Sequence, residues 1–486
     1  MMALTLSTRQ KRITLASVFT LAGVVYCLIS LVNHYLFKTY ALDLGLYTHA
    51  MYDYVHFHID DCSMFKDKPQ CILSDHFDLY LMILSPLVLV FGSYTLLIVQ
   101  IAGILLGGWG VYKFIGLYTD DDWLPVLASA ILLFSFGIIQ ALGFDYHSNV
   151  LTAMMFPWLL YFLKRKQYGL SSLFAVLFVI GKENMSLWLF FIAIGLMWDY
   201  RKDKKALWYL TGYAVFSIVY FFVINMVVMP RLGGAGGGFG RYEHLGSNYS
   251  EIAVNLLSHP LDTLRILFTN TTGISQYDGV KEEFYCCALA TGMVFTLLKP
   301  NYLFMLIPLV GQKMLAASYL FWGVSLQYSV EFMPVLVISS FLVIIKLKKQ
   351  LPRLILACAL LLSTLLTTFY TIGVPKSWIM VDQLCIYQGR HYQQKNFDAD
   401  YARQLIKQIP DDASVCAGRM FVPHLVARPE IYDFYAVAPH VRADYMLLSS
   451  NYLDLERNGQ LLFYYRDEYE TVSTDSTIFL LKKKEK

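Results

Sequence analysis

The chain has 486 residues, 57% hydrophobic and only 15% charged, with mean hydropathy +0.48. Soluble domains carry about 25% charged residues, so an ordinary soluble protein is excluded and a polytopic membrane protein is expected. The formal charge of +3 is too nearly balanced to imply a nucleic-acid partner.

The N-terminus is basic (Arg9, Lys11, Arg12) and then apolar. It resembles a signal peptide, but no small-residue cleavage site precedes Asn33, so an uncleaved first span is expected. A span needs about 20 apolar residues. Runs that qualify are 13–33, 95–116, 123–142, 149–163, 206–229, 283–298, 302–320, 328–345 and 354–374. The stretch 168–198 is also apolar, except for "GKEN" at 181–184. Basic loops favour the cytoplasmic side. The N-terminus, "KRKQ" (164–167), "RKDKK" (201–205) and "KLKKQLPR" (346–353) share one side if 168–198 leaves and returns. The run 77–93, which holds Asp78 and Pro86, must then be re-entrant or interfacial. This gives a mostly α, polytopic bundle of about eleven spans, with the N-terminus inside and the C-terminus outside. The bundle is expected over residues 1–374, with a first outer loop at 34–94 and a long one at 230–282. Residues 375–486 read as a small soluble α/β domain, with a helix near 397–409 and a β-rich end.

The polar residues concentrate on the outer side. "TYALDLGLYTHAMYDYVHFHIDDC" (39–62) carries four aspartates, three histidines and four tyrosines. Helix over 42–57 would set His49 and Asp53 one turn apart. Asp43 at its start is a general base, a metal ligand with His49 and Asp53, or simply an N-cap. "GFDYHSN" (143–149) brings Asp145 and His147 to the membrane surface, although turns use such residues for geometry alone. In "GKEN", Lys182 and Glu183 interrupt a long apolar stretch. Such groups face a cavity or each other, and Lys182 is an anion ligand or a snorkelling lysine. "RLGGAGGGFGRYEHLGSNYS" (231–250) reads as a lid carrying Arg231 and Arg241, or as plain loop. "LQYSVEFMP" (326–334) places Tyr328 and Glu331 at the end of a span. No HExxH, GxSxG or Walker motif occurs. Cys62 with Cys71, and Cys385 with Cys416, are the cysteines placed to pair in an oxidising compartment.

These pieces, in this order, resemble the predicted bacterial membrane proteins of the domain-of-unknown-function 2079 family. "LDLGLYTHAMYDY" is similar to its F-D-L-G opening loop, and "SDHFDLYLMILSPLVLVFGSYTLLIVQ" to its H-F-S-P segment. "FDYHSNVLTAMMFPWLLYFL", "GKENMSLWLF", "RYEHLGSNYSEI" and "QYSVEFMP" follow the family order, as do "IPDDASVCAGRMFVPHLVARPEIYDF" and "ADYMLL". The chain departs from the pattern at Leu42, in "HFDL", and at Gln327.

The family in turn resembles the GT-C glycosyltransferases. That resemblance implies inverting transfer of a sugar from a polyprenyl-phosphate donor to a glycan, lipid or protein acceptor. The reaction would take place at the outer face of a bacterial inner membrane. In that reading Asp43 and Asp145 are the catalytic carboxylates. Lys182, Glu183, His147, Arg231, Arg241 and Tyr328 bind substrate and phosphate, and a divalent cation is an optional cofactor. The other classes are a flippase of lipid-linked sugar, which predicts an inverted repeat, and a non-catalytic envelope assembly protein, which predicts that Asp43, Asp145 and Lys182 lie scattered.

Overall fold

The computed structural model describes residues 7–59, 64, 71–234, 239–373, 376, 381–450 and 465–485. Helices dominate up to Gly373, and a small sheet closes the chain. The first helix, Thr8–Tyr35, begins at a capping box: Gln10 N–H donates to Ser7 Oγ at 3.2 Å and Ser7 N–H to Gln10 Oε1 at 2.9 Å. This satisfies two of the backbone donors that every helix start leaves open. Lys11 then pairs with Asp122 at 2.6 Å, tying the helix to the start of Trp123–Leu133.

Four helical stretches are long and apolar enough to cross a membrane: Thr8–Tyr35, Leu79–Ile115, Lys204–Arg231 and Gln350–Gly373. A fifth exists if Trp123–Leu133 and Phe136–Leu142, bent by 41°, count as one span. The expected eleven are not matched by this count among the described residues, for local reasons. Run 302–320 divides into Pro300–Met305 and Ile307–Met314, where Pro308 lacks the N–H needed to continue the first helix. Run 283–298 is interrupted by a π turn, Leu289–Met293, with Gly292 at φ 124°. Stretch 168–198 does turn at "GKEN", between Tyr168–Ile180 and Met185–Asp199. Segment 77–93 is helical but broken, by a turn at Ser85–Leu87 around Pro86 and by Gly92 at φ 53°. That left-handed value suits glycine, and it lets the chain re-aim into Thr95–Ile115.

The C-terminal sheet contains β1 (Val415–Ala417), β2 (Ile431–Asp433), β3 (Tyr445–Ser449), β4 (Tyr469–Thr474) and β5 (Ile478–Lys483). Their spatial order is β2-β1-β3-β5-β4. β1 pairs in parallel with β2 and β3, while β5 lies antiparallel between β3 and β4. The expected α/β domain is thus present, with its helix at Ala399–Ile406.

The sheet does not fold apart from the bundle. Val415, Ala417, Leu447 and Leu480 share one buried cluster with Phe421 and Val422, and also with Phe37 and Ala41 from the opening loop. His34 and His424 stack with ring centroids 4.1 Å apart and planes 9° apart. Gly45 packs so closely on this domain that a Cβ there would stand 3.1 Å from Val422 Cγ1.

One of the two cysteine pairings left open by the sequence is not formed. Cys385 and Cys416 are both free, because Cys385 lies in the helical core and Cys416 on the far side of the sheet, in a different cluster. Cys62 lies outside the described residues, and Cys71 is buried.

Candidate functional site

The opening loop does not begin as an ordinary helix. Ala41–Gly45 forms a π turn, with Gly45 N–H donating to Tyr40 O at 3.1 Å, before the helix Leu46–Val55. Single π turns inside helices are rare and concentrate at functional sites. The expected N-cap reading of Asp43 is therefore corrected. The residue preceding the turn is Tyr40, no side chain caps it, and Asp43 sits mid-turn. Its Oδ1 stands 3.4 Å from His147 Nε2.

His147 is brought there by the "GFDYHSN" turn. Asp145 holds φ 48° in this turn, a left-handed value that Asp tolerates better than most residues. Gln100, fully buried, fixes the turn from both sides. Its Nε2 donates to Asp145 O at 2.9 Å, and its Oε1 accepts from His147 N–H at 3.0 Å. The Asp145 carboxylate accepts from Tyr40 N–H at 3.0 Å and from the Leu44 backbone, so it grips both ends of the π turn. Burial, and then the neighbouring Asp43, push the Asp145 carboxyl well above the usual range. The His147 ring is 4% exposed, and neither of its nitrogens has a hydrogen-bond partner among the described residues.

"GKEN" supplies the second half. Glu183 accepts from Phe77 N–H at 3.1 Å and faces His76 Nδ1 at 3.2 Å. Burial works against its ionisation, but His76 and Lys182 outweigh that and hold the carboxyl at about 2. Lys182 Nζ lies 3.4 Å from His76 Nε2 and within electrostatic reach of Asp78, Glu183 and Glu331. Asp78 caps the helix Leu79–Leu84 through Tyr80 N–H at 2.9 Å and is hydrogen-bonded to Ser148. Burial pushes its carboxyl up to about 8. Tyr47 connects the halves, lying within electrostatic reach of Asp43, Asp78 and Glu183. Asp43 and Lys182 form no ion pair with each other.

Span ends form the remaining wall. Glu331 accepts from Asn149 Nδ2 at 2.7 Å. Tyr328 is within electrostatic reach of Arg241, Asp43 and Glu331. The Arg241 guanidinium lies 4.6 Å from the Phe321 ring centroid, and Ala317 N–H donates to its backbone carbonyl at 2.9 Å. Lys313 organises this wall from inside. Its ammonium donates to Phe321 O, Gly323 O and Ser329 Oγ at 2.8, 2.6 and 3.2 Å.

Three expected residues fall elsewhere. Arg231 ends a short helix, Met229–Arg231, as an exposed side chain with no ion pair among the described residues. His49 is fully buried, with Nδ1 3.1 Å from Val426 O and Nε2 3.6 Å from Asp53. That pair supports the C-terminal domain, so Asp43, His49 and Asp53 do not assemble as a metal site. Among the described residues no group of three or more His, Cys, Asp or Glu is arranged to hold a metal.

Sequence reading passed over Gln100, Asp78, Lys313 and Asn149 as site components. The available signal was one polar residue inside each apolar run, since a buried polar group demands partners.

The chain matches the family described as Predicted membrane protein (DUF2079) over residues 33–470. It belongs to that family. No curated protein matches it. The crystal structure of ArnT from Cupriavidus metallidurans bound to undecaprenyl phosphate aligns with a TM-score of 0.52 at 10% identity, covering 98% of this chain and 98% of that one. Arabinofuranosyltransferase AftD from Mycobacteria gives 0.49 at 13%, covering 100% of this chain and 40% of that one. The archaeal oligosaccharyltransferase AglB from Archaeoglobus fulgidus gives 0.41 at 11%, covering 96% and 74%. The ArnT likeness establishes the fold, and at such identity it speaks for the fold alone.

Proposed function

We propose that this member of the DUF2079 family is a membrane-embedded, inverting glycosyltransferase. It would move a sugar from a polyprenyl-phosphate donor to an acceptor on the side of the membrane where its C-terminal domain lies, read here as the outer face of a bacterial inner membrane. The observation that carries this reading is the facing of Asp43 and His147 across the Asp145 anchor, with Lys182 on the adjoining loop.

In this reaction the acceptor oxygen attacks the anomeric carbon as its proton passes to Asp43. The bond between that carbon and the lipid phosphate oxygen breaks, and the phosphate leaves with the electron pair. A base must stand within hydrogen-bond reach of the attacking group, and cations must be aimed at the charge that develops on the leaving group. Lys182 would supply an ammonium for it, with Arg241 and Tyr328 as further candidates. Glu183, engaged with His76 and Phe77 N–H, acts by holding Lys182 and the 76–78 loop in place. Asp145, gripping the backbone on both sides of Asp43, acts as its positioning residue. His147, buried beside Asp43, orients the acceptor or shares its proton. Among the described residues no three donors converge as a metal site, and no step is assigned to a cation.

Purified protein supplied with polyprenyl-phosphate sugars tests the proposal. Native protein should transfer sugar, and Asp43→Asn should lose roughly 10²- to 10⁴-fold in kcat. Equal turnover by the two proteins removes Asp43 from the reaction.

A further inference from the structure

A cavity of about 500 Å³ shares no residue with the Asp43 cluster. One wall carries Glu282, Glu283 and Ala290, and the other carries Leu366 and Thr367 from the apolar helix Gln350–Gly373, with Lys376 beside them. The outward face of that helix exposes Leu362, Leu366 and Phe369 by 59, 62 and 61%. A face this apolar on a stretch long enough to span the bilayer belongs against lipid.

The cavity is nevertheless not lined as a plain acyl groove. Glu283 is 7% exposed, and its Oε1 accepts from the Tyr370 hydroxyl and from Lys376 N–H, each at 2.8 Å. Its Oε2 has no hydrogen-bond partner among the described residues. A buried carboxylate oxygen without a donor is costly, and the obvious remedy is an N–H or O–H group from something bound. The exposed Lys376 side chain folds over Gly279, with its ammonium in the space a Cβ would need. Carboxylates and an ammonium therefore meet at the mouth of an apolar slot.

We propose that this cavity is a lipid site, separate from the Asp43 site, for a phospholipid that carries a primary amine. The ammonium would donate to Glu283 and face Glu282, the phosphate would meet Lys376, and one acyl chain would run past Ala290 and Leu366. A quaternary ammonium has no N–H to give Glu283, and an anionic headgroup without an amine would face two carboxylates. The site thus distinguishes phosphatidylethanolamine from phosphatidylcholine and phosphatidylglycerol.

The test uses delipidated full-length protein in detergent, equilibrated with dioleoyl-phosphatidylethanolamine, -phosphatidylcholine or -phosphatidylglycerol. Retained lipid is counted by native mass spectrometry. Retention of the ethanolamine lipid should exceed that of the choline lipid by roughly tenfold, the scale of one charge-assisted hydrogen bond. Glu283→Gln should abolish the preference, and Ala290→Phe should fill the slot and remove retention. Lys376→Met should weaken retention of the ethanolamine lipid while leaving the fold intact, because its side chain is exposed. Equal retention of the ethanolamine and choline lipids overturns the site, as does preferred retention of the glycerol lipid. If Glu283→Gln fails to fold, an unchanged preference in both Ala290→Phe and Lys376→Met overturns it instead. Sugar transfer is a separate readout, so failure here leaves the Asp43 reading untouched.

Discussion

His147 Nε2 stands 3.4 Å from Asp43 Oδ1, on loops far apart in sequence, and the imidazole has no hydrogen bond of its own. A buried ring left unsatisfied is costly unless something else occupies its donors and acceptors. His147→Phe keeps the ring volume but removes both nitrogens. It should lower kcat by roughly 10- to 10²-fold, less than Asp43→Asn, and keep the native melting temperature. An unchanged kcat would show that the nitrogens serve neither acceptor nor proton.

Lys182 faces His76 at 3.4 Å, and no carboxylate pairs with it at ion-pair distance among the described residues. If it stabilises the departing phosphate, Lys182→Met should reduce kcat by roughly 10²- to 10³-fold. Lys182→Arg should recover part of the loss. A rise in KM with constant kcat would assign Lys182 to ground-state binding instead.

Asp78 gives a pH signature. Its carboxyl moves from 3.8 to about 8 on burial, so the folded protein holds a proton there that the unfolded chain releases. Stability from this group is full below pH 3.8 and declines as pH rises through about 8. Asp78→Asn keeps an acceptor for Tyr80 N–H and cannot titrate. Its melting temperature should fall less than that of the native protein between pH 5 and pH 8, as followed by thermal scans across roughly that interval. Parallel curves would place the proton elsewhere.

Gly45 marks the contact between the π turn and the C-terminal domain, 3.1 Å from Val422 Cγ1 for an added Cβ. Gly45→Leu should therefore push the domain off the turn, at a cost of about 1–3 kcal/mol in stability. Sugar transfer should fall with it, because Asp43 lies in the same turn. Native stability together with native turnover would show that the domain contact does not set Asp43.

Much of this was legible in the sequence. Apolar runs 13–33, 95–116, 206–229 and 354–374 are the long helices, because nothing within them stops a helix. The polar breaks at 143–149 and 181–184 do turn the chain, and they do bring Asp145, His147 and Lys182 to one end of the bundle. The span count was less legible, since Pro308 and Gly292 divide runs that hydropathy reads as whole. Within the site, no local pattern announces a π turn, so Asp43 was placed at a helix start, where cap, base and metal ligand stayed open. Gln100 looked like one stray amide in an apolar helix, and its two bonds to Asp145 and His147 exist only once the helices pack. Arg231 was singled out for its place beside a glycine-rich stretch, and it stands exposed with no ion pair among the described residues.

Phe37 and Ala41, near the start of the chain, are buried in the same cluster as Val415, Leu447 and Leu480 near its end. During translation the first loop waits, unsupported, while the whole helical bundle is made and inserted. Its π turn gains its backing only when Val422 and the sheet around it have been made. A nascent chain stopped before residue 421 would therefore hold Asp43, Asp145 and Glu183 with the packing of Gly45 on Val422 not yet made.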